Sequence, residues 1–211
     1  MTKDTTKQQV QDTETRILQI AEQEFMAKGF TGARTTSMAE SAGVTHAMLH
    51  YYFRTKEKLF ERIISEKIGL LKEAMYSSIG DFNLPLSEII RNIINRHLVF
   101  LAANPELPRF LISEIISNPE RSASFLENLH KYAPTIISIL QNKIDMESSA
   151  GNCRKVDAKM LMLDIVSLNV FSYVASPIIN AALGNCMADA DAFLAKRKEE
   201  NYDTIMRKLK P

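Results

Sequence analysis

The sequence has few of the residues that mark several large classes of protein. Its 211 residues include no tryptophan, seven glycines, seven prolines and two cysteines. Cys153 and Cys186 fit neither a disulfide framework nor the spacing of a metal site, which predicts a location in a reducing cytosol. The formal net charge is only +1, so a surface able to bind nucleic acid or a membrane would have to be local.

The chain also lacks the patterns that catalysis or a tightly bound cofactor requires. The sequence shows no glycine-rich phosphate loop, no nucleophile with an adjacent base and no cluster of metal ligands. His46 and His50 have the i, i+4 spacing of two zinc ligands, but no third ligand lies near them in the sequence. The prediction is a protein that is not an enzyme and that holds no cofactor and no metal.

Apolar residues recur at helical spacing in the first part of the chain, and no segment alternates as a strand would. Residues 12–28 predict an amphipathic helix that ends at Gly29 in a left-handed C-cap conformation. Two short helices follow on either side of a turn at Gly43, and Thr45 is the expected N-cap of the second. Residues 1–11 are polar and predict a disordered arm.

The rest of the chain predicts longer helices, which makes the fold all-α. Helices are expected to begin near the following positions: Thr55, Leu86, Pro105, Glu120, Val156 and residue 188. A break or kink is expected at Pro134, inside one of them. The apolar run at 156–183 has the length of a membrane span, but its serines, asparagines and proline favour a helix buried between its own core and a partner chain.

Residues 35–53 have the layout of a helix-turn-helix, in which two short helices cross closely around a tight turn. Ala39 is small at the crossing, and Met38, Val44 and Leu49 supply its apolar contacts. In a DNA-reading helix of this kind, the outer face enters the major groove and meets base edges. That face carries His46, Ala47, His50 and Tyr51. The positions placed to bind phosphate are Tyr52, Arg54, Thr55 and Lys56.

Residues 12–60 resemble the DNA-binding region of the TetR family of bacterial transcriptional regulators. The resemblance is carried by TRILQIAEQEFMAKGF and by TTSMAESAGVTHAMLHYYFRTKEKLF. It implies an N-terminal three-helix DNA-binding domain over 12–54, with the helix-turn-helix motif at about 35–53. Residues 55–211 would then form a C-terminal helical domain for ligand binding and dimerisation.

The resemblance also implies which residues touch DNA. They are Thr35, Thr36, Thr45, His46, Ala47, His50, Tyr51, Tyr52 and Lys56. Thr35 would cap the second helix and contact phosphate, and Tyr52 and Lys56 would bind phosphate. His50 stands where the family usually has a tyrosine, and Ala47 stands where glycine is common. The first departure removes the phenol that is expected to contact phosphate at that position.

The function implied by the resemblance is that of a cytoplasmic bacterial repressor. It would bind a palindromic operator in double-stranded DNA as a homodimer, and a small apolar or amphipathic effector would release it. The alternative is a DNA-binding protein of the same fold whose C-terminal domain binds a protein partner in nucleoid or division control.

Two further sets of residues are predicted in the C-terminal part. Aromatic, methionine and polar residues on several helices predict a ligand pocket with a few polar groups. These residues are His97, Phe100, Phe110, Glu114, Phe125, Met162 and Phe171. The apolar residues expected at the dimer interface are Ile165, Val174, Ile178 and Phe193.

Overall fold

The computed structural model describes residues 2–81, 83–120 and 123–211, and it excludes the side chains of residues 2–10 and 124. Ten α-helices and no strand occur in these ranges, which confirms the all-α prediction. The helices are α1 Thr2–Gly32, α2 Thr35–Ser41, α3 His46–Phe53, α4 Lys56–Ile79, α5 Leu86–Ala103, α6 Leu107–Ser117, α7 Ala123–Ser149, α8 Ala158–Val174, α9 Ser176–Ala182 and α10 Ala190–Leu209.

The chain divides into two compact units. Unit 1 consists of Met1–Lys67 and Ser113–Phe125, and unit 2 consists of Ile68–Ile112 and Leu126–Pro211. Helices α4, α6 and α7 each contribute residues to both units. The domain boundary predicted between residues 54 and 55 stays a prediction.

The core of unit 1 is built around the apolar face of α1. Ile17, Ala21 and Phe25 are fully buried at the predicted i, i+4 spacing. The rings of Phe25, Phe30 and Phe60 lie with centroids 5.2 to 5.7 Å apart in stacked and edge-to-face pairs. These contacts hold α4 and the end of α1 against each other.

Gly29 interrupts α1 in a conformation that differs from the predicted C-cap. Its φ of 69° is positive, as expected, but its ψ of 170° is extended, and helical structure resumes up to Gly32. The extended turn lets the Phe30 N–H donate a hydrogen bond to Glu114 Oε1 at 3.2 Å. The backbone of residues 2–11, predicted as a disordered arm, forms the first turns of α1, and Met1 lies outside the described residues.

The core of unit 2 contains a buried polar network among α5, α8 and α10. Asn169 Nδ2 lies 3.2 Å from His97 Nδ1 and donates to the Ile94 carbonyl, and Asn201 Nδ2 donates to Asn169 Oδ1 at 2.7 Å. Burial lowers the pKa of His97 to about 4, because a charged imidazole would lose its hydration. The network therefore joins three helices with neutral groups.

Pro134 does not break α7, so the prediction of a break is wrong, and the alternative prediction of a kink stays a prediction. The helix is continuous from Ala123 to Ser149. Proline removes one intrahelical hydrogen bond, but Tyr132, Ile136 and Leu140 on either side of it are buried on one face. That burial stabilises the helix through the proline.

The apolar run at 156–183 forms two helices instead of one. Asp157 caps α8 through hydrogen bonds from Lys159 N and Met160 N, and α9 follows at a bend of 75°. Among the described residues no single helix is long and apolar enough to cross a membrane, and α8 and α9 pass that test only when taken together as a bent pair.

Candidate nucleic-acid interface

The turn between α2 and α3 is fixed by backbone hydrogen bonds and by one glycine. Gly43 has a φ of 64°, and the Val44 N–H donates to the Ala39 carbonyl at 3.0 Å. A Cβ added at Gly43 would meet no atom within 4 Å, so the position requires the left-handed backbone and not free space. Thr45 Oγ1 accepts from Met48 N at 3.1 Å, which confirms Thr45 as the N-cap of α3.

Helix α3 buries one face and exposes the other. Leu49 and Phe53 are buried in the core of unit 1, together with Met38 and Ala39 of α2. The outer face consists of exposed residues, and Tyr51 has 73% of its surface accessible. The exposed residues are His46, Ala47, His50 and Tyr51. Their common exposure is as predicted, and their contacts with DNA stay predictions.

Two hydrogen bonds fix the histidines on this face. Thr35 Oγ1 lies 3.0 Å from His46 Nε2, and His50 Nδ1 lies 2.7 Å from the Arg54 carbonyl oxygen. The two rings meet edge to face with centroids 4.4 Å apart. Sequence reasoning found the histidines but missed both bonds, although the i, i+4 spacing of His50 and Arg54 was a signal for the second.

The predicted cap of α2 is wrong. Arg34 occupies the N-cap position and makes no side-chain cap hydrogen bond, and Thr35 is the first helical residue. The Thr35 hydroxyl bonds to His46 instead, since the close approach of α3 brings that ring within reach. Thr36 is exposed at the same end of the helix.

Lys56 is held within the protein at the start of α4. Its ammonium donates to the Ala33 carbonyl at 2.6 Å and lies 4.6 Å from the centroid of the Phe30 ring. Tyr52 is half-buried, with its ring 5.7 Å from that of Tyr51. The phosphate contacts of Lys56 and Tyr52 stay predictions, and both side chains already pack against the protein.

Ion pairs with glutamate neutralise part of the basic surface of unit 1. Lys28 bonds Glu24 at 2.8 Å, and this hydrogen bond lowers the pKa of the Glu24 carboxyl. Lys58 bonds Glu61 at 2.8 Å. Arg54, by contrast, is exposed at the end of α3 with a φ of 62°. The described residues include no group of three side chains able to hold a metal ion.

Unit 2 contains an open groove of about 770 Å³ along α7. Its apolar wall includes Leu129, Ala133 and Ile137, and Gln141 and Lys159 add polar groups. These residues were missed by sequence reasoning. The signal was a second apolar stripe at i, i+4 spacing, on the flank of α7 next to its buried face.

None of the seven predicted pocket residues lines this groove. Glu114 and Phe125 belong to unit 1, and the other five belong to unit 2. The Glu114 carboxylate accepts the Phe30 N–H, and His97 takes part in the buried network. Phe171 is 65% exposed and lies on the surface of α8. Phe110 is buried, and Phe100 and Met162 are half-buried.

The predicted dimer residues have very different environments. Ile165 is fully buried in the core of its own chain, which contradicts its assignment to an interface. It lies one turn before Asn169, which bonds to residues of α5 and α10, and the exposed apolar residues lie on the opposite side of α8. Ile178 is 72% exposed on α9, and Val174 and Phe193 are half-buried.

Comparison with known proteins gives matches over both parts of the chain. Residues 17–63 match the family described as "Bacterial regulatory proteins, tetR family". The chain is 26% identical over 209 residues to the HTH-type transcriptional regulator AcrR of Shigella flexneri, covering 97% of this chain and 92% of that protein. It is 27% identical over 146 residues to the nucleoid occlusion factor SlmA of Haemophilus influenzae, covering 67% of this chain and 64% of that protein.

A solved structure shares the fold. AibR in complex with isovaleryl coenzyme A and operator DNA has a TM-score of 0.61 and 20% identity, over 76% of this chain and 85% of that one. At this identity the likeness shows the fold alone.

Proposed function

We propose that the chain is a homodimeric repressor, on the premise that it is a DNA-binding transcriptional regulator of the tetR family of bacterial regulatory proteins. It binds a palindromic operator and leaves it when a small apolar or amphipathic molecule binds in unit 2. The observation that carries the proposal is the outer face of α3, which exposes His46, His50 and Tyr51 above a buried helix-turn-helix core.

The two α3 helices of a dimer enter successive major grooves on one side of the duplex. Their half-sites are then roughly one helical turn apart, about 34 to 36 Å. Thr36, Thr45 and Ala47 lie at the same surface and complete the contact with bases and backbone. Because the net charge of the chain is small, a single helix-turn-helix motif binds DNA weakly. The affinity for the operator therefore depends on the two motifs of the dimer binding together.

The experiment that tests DNA binding is selection of bound sequences from random DNA by the purified protein, at two salt concentrations. The proposal predicts a palindrome with half-sites one helical turn apart. Binding that is sensitive to salt but selects no motif would refute a site-specific repressor, and no binding at all would refute DNA recognition by the unliganded protein.

The dimer interface is proposed to be the exposed apolar surface of α8 and α9. A contiguous surface of large apolar side chains that are more than half exposed is unusual on a monomer. The side chains of this kind on α8, on α9 and directly after α9 are Met160, Leu163, Phe171, Ile178 and Leu183. Covering such a surface with a second copy buries it, whereas Ile165 is buried without a partner.

Substitution at this surface tests the interface. Ile178→Glu places a charge on it and is expected to give monomers in sedimentation velocity. Met146→Glu is the matched control, because Met146 is 64% exposed in unit 2 but lies on α7. A dimer that persists in Ile178→Glu, or that is lost equally in Met146→Glu, would place the interface elsewhere.

The effector site is proposed to be the α7 groove. A volume of about 770 Å³ is within the range of small-molecule sites, and its apolar wall with a polar rim fits an amphipathic ligand. AibR, which shares the fold, was crystallised with isovaleryl coenzyme A. Acyl-coenzyme A thioesters and free fatty acids are therefore the first probes for release of the selected DNA.

A variant that fills the groove tests this site. Ile137→Trp is expected to abolish release by an active probe while DNA binding remains. Met146→Trp lies on the same helix outside the groove and should respond as the unchanged protein does. Release that survives in Ile137→Trp would exclude the groove as the effector site.

A second candidate function follows from the match to SlmA. A protein of this fold that binds a protein partner in nucleoid or division control would use unit 2 as a docking surface. This candidate function predicts that the protein binds specific DNA and that no acyl thioester or fatty acid releases it. It also predicts that substitutions on the exposed face of α8 weaken the complex with the protein partner. The longer match to AcrR favours the repressor.

A further inference from the structure

His50 is fixed in one orientation by the end of its own helix. Its Nδ1 lies 2.7 Å from the Arg54 carbonyl oxygen, and the His50 carbonyl in turn accepts the Arg54 N–H at 2.9 Å. Arg54 adopts a φ of 62° and a ψ of −58° at the C-cap. The side chain and the main chain of His50 therefore both form hydrogen bonds with the main chain of Arg54. Rotation of the ring would break the bond to the Arg54 carbonyl.

This hydrogen bond determines which nitrogen of His50 carries the proton. A carbonyl oxygen can only accept, so Nδ1 must be the N–H donor. In a neutral imidazole the other nitrogen, Nε2, is then an acceptor. Within the described residues Nε2 of His50 has no hydrogen-bond partner, and the side chain is exposed on the outer face of α3.

The tautomer of the neighbouring histidine is not fixed in the same way. Nε2 of His46 is already engaged with Thr35 Oγ1 at 3.0 Å. The His46 ring also packs edge to face on the His50 ring, with centroids 4.4 Å apart. A hydroxyl can either donate or accept, so Thr35 does not fix the tautomer of His46, and His50 is the imidazole whose unengaged nitrogen is fixed as an acceptor.

We infer that His50 is a specificity-determining residue that accepts a hydrogen bond, through Nε2, from the exocyclic amino group of a base in the major groove. The inference rests on the proposed DNA recognition. In the major groove, the donors are the N4 amino group of cytosine and the N6 amino group of adenine, whereas guanine N7 and O6 and thymine O4 are acceptors. An acceptor on the protein therefore selects an amino group and disfavours the other edges.

The same chemistry excludes a phosphate contact by the neutral ring. Phosphate oxygens accept hydrogen bonds and donate none, so they cannot bond to Nε2. A tyrosine, which the resemblance implies as the usual residue at this position, has a hydroxyl that can donate to phosphate. With histidine in place of tyrosine, this position thus contacts a base and not the phosphate backbone of the DNA.

The decisive variant is His50→Asn. An asparagine amide can still donate from Nδ2 to the Arg54 carbonyl, but the side chain has no atom at the place of Nε2. His50→Gln provides the complementary variant, since its longer side chain can reach the place of Nε2. Thermal melts of both variants show whether α3 still folds as in the unchanged protein.

Sequence selection at pH 8 is carried out with the unchanged protein and with His50→Asn. The expected result is one position per half-site at which the preference is lost in the variant, while the other positions keep theirs. A motif that is identical in the two proteins, or a loss of affinity that is equal on every sequence, would overturn the inference and leave the proposed function intact. Failure of the unchanged protein to select any motif would refute the proposed function.

Base analogues at that position then identify the atom contacted. Replacing adenine by 2-aminopurine, or cytosine by N4-methylcytosine, should weaken binding by about threefold to tenfold, the size of one neutral hydrogen bond. Replacing the purine by its 7-deaza analogue should leave affinity unchanged, and His50→Asn should not respond to either change. Sensitivity to the 7-deaza base without sensitivity to the amino group would show that His50 donates, which contradicts the inference.

Discussion

The buried His97 should make the stability of this protein depend on pH in a way that one substitution removes. Its pKa is lowered to about 4 by burial, whereas an imidazole in an unfolded chain has a pKa of about 6.5. Between these two values the unfolded chain binds a proton that the folded chain does not. The free energy of unfolding contributed by His97 is therefore complete above about pH 6.5 and is lost as the pH falls towards 4.

The expected loss follows from the two pKa values. Linkage gives about 1.4 kcal/mol at pH 5.5 and about 2 kcal/mol at pH 5, with a limit of roughly 3 kcal/mol. The geometry acts in the same direction, because Asn169 Nδ2 faces Nδ1 of His97 at 3.2 Å. A proton on Nδ1 would set two donors against each other and break a bond that joins α5 to α8.

The measurement is urea unfolding of the unchanged protein and of His97→Asn, at equal protein concentration, from pH 8 to pH 5. Asparagine keeps an acceptor near the place of Nδ1 but does not titrate. The other three histidines and the carboxylates are common to both proteins, so their titrations cancel in the difference. A difference between the two free energies that stays constant over this range would refute the reasoning, and so would one that grows in favour of the histidine as the pH falls.

Three further predictions concern the turn, the start of α4 and the core of unit 2. Gly43→Ala should lower the free energy of unfolding by about 1 kcal/mol, the cost of a side chain in the left-handed region, because the added Cβ meets no atom within 4 Å; a loss several times larger in urea unfolding would mean a steric clash. Lys56→Ala should lower the free energy of unfolding by about 1 to 2 kcal/mol, because the Ala33 carbonyl loses a charged donor. If the ammonium contacts phosphate, the same variant should also reduce by about one the slope of log affinity for DNA against log salt concentration. A stability equal to that of the unchanged protein would show that the bond to Ala33 contributes nothing. Ile165→Glu should cost about 4 kcal/mol or more, since Ile165 is fully buried, and a folded monomer in sedimentation and circular dichroism would contradict this.

The parts of the fold that follow from local signals could be predicted from the sequence. The positive φ of Gly43, the cap at Thr45 and the exposed face of α3 depend on residues within a few positions of one another, and spacing reports such relations directly. Pro134 shows the limit of local reasoning. Its cost to the helix is local, but the burial of Tyr132 and Ile136 that outweighs it depends on the tertiary fold.

The site could be predicted only in outline for a related reason. Amphipathic spacing separates two faces of a helix, but it does not show what lies against an apolar face. Ile165 and Ile178 are both apolar and belong to one continuous run, yet the bend after α8 leaves the first buried and the second exposed. The bond between Thr35 and His46 joins residues eleven positions apart, and only the crossing of two helices brings them together.

The proline within α7 has a consequence for the groove that this helix lines. Proline has no backbone N–H, so the carbonyl oxygen of His130, four residues earlier, lacks the donor that an uninterrupted helix supplies. His130 and Pro134 both line the groove. A main-chain acceptor of this kind persists through any substitution of His130 and disappears only when Pro134 is replaced. A ligand with a hydrogen-bond donor would find this main-chain acceptor in the groove whichever side chains line it, as long as Pro134 is kept.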